Sequence, residues 1–254
     1  YVGIQEILEQ FSAHAQTAAL VKSIQGKNPK IHLKGLIGSS DAMIAAASYA
    51  LQERPYVFIL PNHEDASYFL TDLESILDKQ ILFFPSSYRK AYDFTQIDAT
   101  HVLQRAETLS ALNHSSELPK MVVTYPEAIA EKVITRADLD KNTLEITQNT
   151  KLSIDFINEF LYEYDFERVD FVYEPGQFAI RGGIVDIFSF SNDKPYRIEF
   201  FGDEIESIRT FDMESQLSVS KIHSVTIVPN VQAKFLSSNH ISLLEYIDRD
   251  AVIW

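Results

Sequence analysis

The sequence has no cysteine, and with none there is no disulfide framework, no thiolate metal site and no cysteine nucleophile. Its seven histidines, at 14, 32, 63, 101, 114, 223 and 240, fall in no HxxxH or HExxH spacing, so no metal is expected. No run of about 18 apolar residues could form a membrane span. The opening "YVGIQEILEQFSAHAQ" reads as an acidic amphipathic helix over 4–24 and not as a secretory leader. A cytoplasmic protein without a membrane partner is the expectation.

Positive charge is also scarce. Lys and Arg number 22 against 36 Asp and Glu, a net charge of −14. Residues 143–230 carry 7 basic and 16 acidic side chains. Duplex binding works by counterion release from clustered Lys and Arg, so a protein is a better candidate than DNA for the direct partner.

What the chain does have is apolar residues, 46% of the total and ample for a core. Strand-like "IHLKGLI", "YVFIL", "ILFF" and "MVVTY" alternate with helical stretches, among them "DAMIAAASYALQE", a helix capped by Asn62 and running to about Leu77, one over 99–113, and one from Pro126. Short apolar strands separated by helices predict an α/β domain on a doubly wound parallel sheet. Near Asn142 the rhythm changes. "LEIT" and the helix "SIDFINEFLYEYDF" lead into "RVDFV", "FAIRGGIVDIFSF", "YRIEFF", "EIESIRTF" and "KIHSVTIV". Consecutive strands predict an antiparallel sheet in a second, α+β unit. After Pro229-Asn230, "SLLEYIDRDAVIW" predicts a helix and the first residues of a strand, as in a fragment of a longer protein.

Residues 32–47, "HLKGLIGSSDAMIAAA", outline a phosphate-binding loop. That loop reads G-x-x-x-x-G-K-[ST], with backbone N–H groups around the phosphates, a lysine on their charge and a hydroxyl on magnesium. With Gly35 as the first glycine and Gly38 inside the loop, Ser40, Asp41 and Ala42 stand where Gly, Lys and Ser/Thr are required. Asp41 would repel a phosphate by ~1 kcal/mol per unit charge even in water. Without nucleotide, Ser39, Ser40 and Asp41 serve as helix caps.

In "FVYEPGQFAIRGGIVDIF" the paired glycines put Arg181 at a bend between strands, able to approach a partner or simply solvated. In "YRIEFFGDEIESIRTF", Gly202-Asp203 is a two-residue hairpin turn that would pair Phe201 with Glu204, Phe200 with Ile205 and Arg197 with Ile208. Alternation then sends Ile198, Phe200 and Ile205 inward and Arg197, Glu199, Phe201, Glu204 and Glu206 to the other face. Arginine with an exposed aromatic is a hot-spot composition. Alternatively another element covers that face and Phe201 is core. In the stretch 84–98, Tyr88, Arg89, Lys90, Tyr92 and Phe94 could stack on unpaired bases or pack on a sheet edge. The acids of 143–230 show no spacing that marks a catalytic pair.

The run "EPGQFAIRGGIVDIF…PYRIEFFGDEIESIRTFD", with "FFPSSYRKAYD", "VVTYPEAI" and "IVPN", resembles the amino-terminal module of the bacterial transcription-repair coupling factors (Mfd), itself similar to the excision repair protein UvrB. The resemblance implies a degenerate P-loop domain split around an insert. Residues 1–142 would be its first part, 143–229 the inserted α+β domain, and 230–254 the start of the return segment. It also implies a non-catalytic adaptor without cofactors, in which Arg181, Arg197 and Phe201 bind UvrA and bring it to stalled RNA polymerase. The remainder of the coupling factor would be an intramolecular partner that masks this surface, and RNA polymerase and DNA would be met only through the full-length protein, an ATP-dependent translocase. The alternatives are a nucleotide-dependent, helicase-like enzyme and a DNA-binding module. Against the first stands the altered loop; residues 85–100 are too short for the long DNA-gripping hairpin of UvrB.

Overall fold

The computed structural model describes residues 3–26, 29–90, 93–97, 99–113, 120–230 and 240–254, and no side chain is described at 88–90, 93–97 and 99. The chain forms two compact units, one of Tyr1–Ser86, His114–Glu131 and Leu243–Trp254, the other of Ser87–Asn113 and Lys132–Ser242.

The first unit is built on a four-stranded parallel sheet in the order Val252–Ile253, Tyr56–Ile59, Met121–Thr124, Leu82–Phe84. Its central strands are apolar on both sides: Tyr56, Val57, Phe58, Met121, Val122 and Val123 are all buried, as a parallel sheet covered on two faces requires. The helix Ser40–Leu51 buries Ala42, Ala45, Ala46 and Ala47 completely, and these small side chains let the helices Ile4–Ala13, Ala15–Ile24 and His63–Leu77 pack against it. Asn62 caps His63–Leu77 by accepting from the Asp65 N–H.

Two expectations change here. The helix over 4–24 is two helices, because His14 is extended and its Nδ1 accepts from the Gln16 N–H as the cap of the second. "IHLKGLI" is not a strand. A strand needs a ladder partner, and both sides of Tyr56–Ile59 are taken by Met121–Thr124 and Val252–Ile253.

The second unit holds a six-stranded sheet in the order Ser218–Ile222, Glu204–Phe211, Tyr196–Phe201, Ile184–Ile187, Gln177–Arg181, Glu167–Arg168, antiparallel except for the last pair. One face carries Phe178, Val185, Ile187, Ile198, Phe200, Ile205 and Ile208. These pack with Ile157 and Leu161 of the helix Ile154–Glu163 and with Ile146, Val225 and Ile227 of the paired strands Leu144–Thr147 and Ser224–Ile227. The other face has a small cluster of Val172, Ala179, Phe188 and Phe211.

Of "RVDFV" only Arg168 is in a strand, the short Glu167–Arg168; the chain then leaves the ladder and buries Val172 in that small cluster. "KIHSVTIV" splits at His223 between two sheets. The stretch 84–98 contains a short antiparallel pair, Tyr88–Lys90 with Asp93–Ile97. Tyr92 and the side chains of Tyr88, Arg89, Lys90 and Phe94 lie outside the described residues, and with them the base-stacking expectation.

Candidate functional site

The Gly202-Asp203 turn pairs Phe201 with Glu204 and Phe200 with Ile205, and then the register slips by one residue. Glu199 faces Ser207 and Arg197 faces Arg209, so the expected pairing of Arg197 with Ile208 is wrong. The extra residue is Glu206, a bulge. Its carbonyl accepts from Gln148 Nε2 at 2.8 Å, while Asn149 N–H donates to the Ile205 carbonyl at 2.9 Å and Leu152 N–H to that of Asp203 at 2.8 Å. The bulge brings Ile205 and Ile208, three residues apart, into one core.

On the opposite face stand Arg197, Glu199 and Phe201, joined by Ser207 and Arg209 from the neighbouring strand. Ser207 Oγ and Arg209 Nη2 donate to Glu199 Oε2 at 2.6 and 2.9 Å. Asp186 lies directly across from Arg197 and from Ala179, and its side chain is fully buried. Arg197 meets it bidentately, Nε to Oδ1 at 2.8 Å and Nη2 to Oδ2 at 2.9 Å. Arg181 Nη2 donates to the same Oδ2. The two arginines singled out from sequence therefore share one carboxylate, and a buried ion of this kind is tolerable only when paired and hydrogen-bonded.

Each guanidinium has a further hold. Arg197 Nη1 donates to the Gln216 carbonyl at 3.0 Å and the guanidinium sits 4.5 Å from the Phe211 ring centroid. Arg181 Nη1 donates to the Asp170 carbonyl at 2.6 Å, 5.3 Å from the Phe171 ring. The hydrogen bond to Asp186 raises the Arg197 pKa above its ordinary value, with burial opposing. Arg181 retains 38% side-chain exposure and Arg197 15%. Phe201 is 80% exposed, so it is not core. It lies four residues from Arg197 on the same face, roughly 13 Å along the strand at ~3.3 Å per residue.

Asp186 was missed by the sequence reading. Its signal was an acid inside the apolar alternation "IVDIF", but the strands Ile184–Ile187 and Tyr196–Phe201 are joined by a loop of no standard turn type, so their register, and hence the partner of Asp186, could not be read.

In the first unit, Gly35 and Gly38 have φ of +80° and +56°, backbone that favours glycine, and the helix Ser40–Leu51 follows at once. The amides around it are engaged internally. Ile37 N–H donates to Ser40 Oγ at 2.8 Å and Ala42 N–H to Asp41 Oδ1 at 2.7 Å. Ser39 makes no side-chain cap; its carbonyl accepts from Met43 N–H. Among the described residues no three His, Asp or Glu side chains group as a metal site, and no helix is long and apolar enough to cross a membrane.

The sequence model of the UvrB interaction domain matches residues 144–232, the segment that contains the whole arginine face. A transcription-repair-coupling factor of Myxococcus xanthus is 30% identical over 207 residues, 79% of this chain and 17% of that protein. Those of Bacillus subtilis and Escherichia coli are 28% and 26% identical over 85% and 76% of this chain, covering 18% and 17% of the proteins. Over most of its length the chain is similar to these transcription-repair-coupling factors, and its segment 144–232 matches the UvrB interaction domain. It spans less than a fifth of the length of these relatives. Within the module, the matched segment is closed at its base by its own ends, since Leu144 pairs with Ile227 and Thr147 with Ser224.

Proposed function

We propose that this module is a non-catalytic adaptor of transcription-coupled repair, recruiting UvrA to stalled RNA polymerase through a face that carries Arg181, Arg197 and Phe201. The observation that carries the reading is Phe201, a large aromatic at 80% exposure beside paired arginines, inside the segment matched by the UvrB interaction domain. A largely exposed phenylalanine on a charged face forgoes the burial of an apolar ring unless a partner covers it.

The domain layout proposed is 1–142 and 230–254 as one degenerate P-loop domain with 143–229 inserted. It is supported by the self-closing pair Leu144–Thr147 and Ser224–Ile227 and by Val252–Ile253 adding in parallel to Tyr56–Ile59. Gly35, Gly38, Ser40, Asp41 and Ala42 keep a phosphate loop's outline, but two of its amides are satisfied by Ser40 and Asp41, so the loop works without ATP. Contacts with RNA polymerase and DNA belong to the full-length coupling factor, whose remaining domains also cover this face when UvrA is not engaged.

Calorimetric titration of the chain with UvrA tests the recruiting role. Saturable binding by the wild type, weakened at least tenfold in Arg181→Ala, Arg197→Ala and Phe201→Ala, is expected; equal binding by all four proteins contradicts the site. Titration with ATP and magnesium tests the loop, where micromolar saturable binding would sink the inactive reading and favour the nucleotide-dependent alternative.

A further inference from the structure

The two arginines of the docking face are held on their own chain. Arg197 spends one edge of its fork on Asp186 and Nη1 on the Gln216 carbonyl; Arg181 bridges Asp186 and the Asp170 carbonyl. Each carbonyl belongs to a different loop crossing this face of the sheet, one before the strand Gln177–Arg181, the other after Glu204–Phe211. The loops are also tied to each other. Gln216, at φ +57°, donates from Nε2 to the Met213 carbonyl at 2.8 Å and to the Val172 carbonyl at 3.4 Å. Asp212 closes the second loop by accepting from the N–H and Oγ of Ser215, and its own N–H donates to the Leu217 carbonyl. The result is a hydrogen-bonded ring, from Asp186 through Arg197, Gln216, the Val172 loop and Arg181 back to Asp186, with one buried carboxylate at its origin.

We infer that Asp186 is the positioning residue of the docking face: through Arg181 and Arg197 it fixes both loops, so that their exposed Phe171 and Leu217 meet UvrA together with Phe201. Phe171 and Leu217 are 51% and 68% exposed, although each adjoins a residue in the ring. This inference rests on the recruiting role proposed above and adds to it two apolar contacts and a division of labour. Arg197, at 15% side-chain exposure, acts mainly through geometry, because its charge is already matched by Asp186 and by the stacking on Phe211. A face whose guanidiniums are already ion-paired on their own chain, two to Asp186 and one to Glu199, and whose exposed apolar side chains include Phe171, Phe201 and Leu217, suits a protein surface better than phosphates, which need free cations.

The distinguishing substitution keeps the charge and removes the fork. Lysine cannot reach both carboxylate oxygens and a carbonyl in one plane, so Arg197→Lys is expected to lose UvrA affinity as Arg197→Ala does, at least tenfold. Asp186→Asn is expected to lose at least fivefold. In both Arg197→Lys and Asp186→Asn, amide hydrogen exchange of the free chain speeds up in 169–175 and 212–217 and stays as in wild type in the helix Ile154–Glu163. Phe171→Ser and Leu217→Ser are each expected to weaken binding threefold or more with unchanged exchange. Arg197→Lys binding within twofold of wild type, or unchanged loop exchange in Asp186→Asn, overturns the positioning role. Wild-type affinity in both Phe171→Ser and Leu217→Ser overturns the enlarged face while Phe201→Ala still reports on the recruiting reading. If the wild type does not bind UvrA, that reading falls, and the exchange measurement alone decides whether Asp186 organises the loops.

Discussion

The two sheets of this protein use their faces differently. In the parallel sheet, Tyr56, Val57, Phe58, Val122 and Val123 are buried whichever way they point, and the strands can be read as cores and nothing else. In the antiparallel sheet one face is equally apolar, from Phe178 to Ile208, while the other alternates Arg197, Glu199 and Phe201 and encloses Asp186. Helices on both sides of a parallel sheet leave no surface strand for a partner, whereas an antiparallel sheet needs only one covered face. The recruiting role proposed above accordingly falls on the second sheet. The loop Gly35–Ala42 fits that division, since its amides at Ile37 and Ala42 are answered by Ser40 and Asp41.

The division can be broken experimentally, most forcefully in the parallel sheet. Phe58→Ala empties a site among the rings of Tyr56, Phe69 and Trp254 in which no face is solvent, and should cost about 3–5 kcal/mol in urea unfolding. On the antiparallel sheet, Asp186→Ala should cost about 2–3 kcal/mol, short of the ~3–5 kcal/mol of a fully enclosed pair because Arg181 keeps contact with water. A cost below that of an ordinary surface substitution would mean that the arginines do not depend on the carboxylate.

Each sheet also contains a buried phenol, Tyr56 and Tyr196, and burial pushes both pKa values up to about 12 from 10.0. For Tyr196 the hydrogen bond from Asn192 opposes the shift, and Asp193 and Glu107 add to it. A raised pKa favours the folded state fully below pH 10, and that contribution is lost as pH climbs from 10 towards 12. Absorbance at the tyrosinate band should thus show late-titrating phenols, Tyr56 and Tyr196 among them, and stability should decline over the same window. Replacing Tyr196 with Phe should remove one late phenol. The smallest effect on stability is expected at Phe201, where alanine should change unfolding by no more than about 0.5 kcal/mol, because the ring is exposed.

Much of this arrangement was legible in the residues. The Gly202-Asp203 turn fixed the start of the hairpin, and alternation assigned Ile198, Phe200 and Ile205 to the core and Phe201 to the opposite face. Asn62 announced its helix by type and position. What failed were features set by distant neighbours. The bulge at Glu206 depends on Gln148 and the strand-like segment beside it, although Ile205 and Ile208 at a spacing of three already strained the period of two. Asp186 acquires its partners from two other strands, and only the observed registers put it beside Arg181 and Arg197. "IHLKGLI" has a strand's composition but no neighbour with which to pair. Local pattern specified faces and turns; ladder partners and buried charge pairs were decided across the sheet.

The most direct test of the account is the affinity of the chain for UvrA measured by calorimetry in wild type and Phe201→Ala, alongside their melting temperatures. Saturable wild-type binding is expected to fall at least tenfold in the variant while the two melting temperatures agree within a few degrees. Equal affinities, or a loss of binding that merely follows a loss of folding, would contradict it.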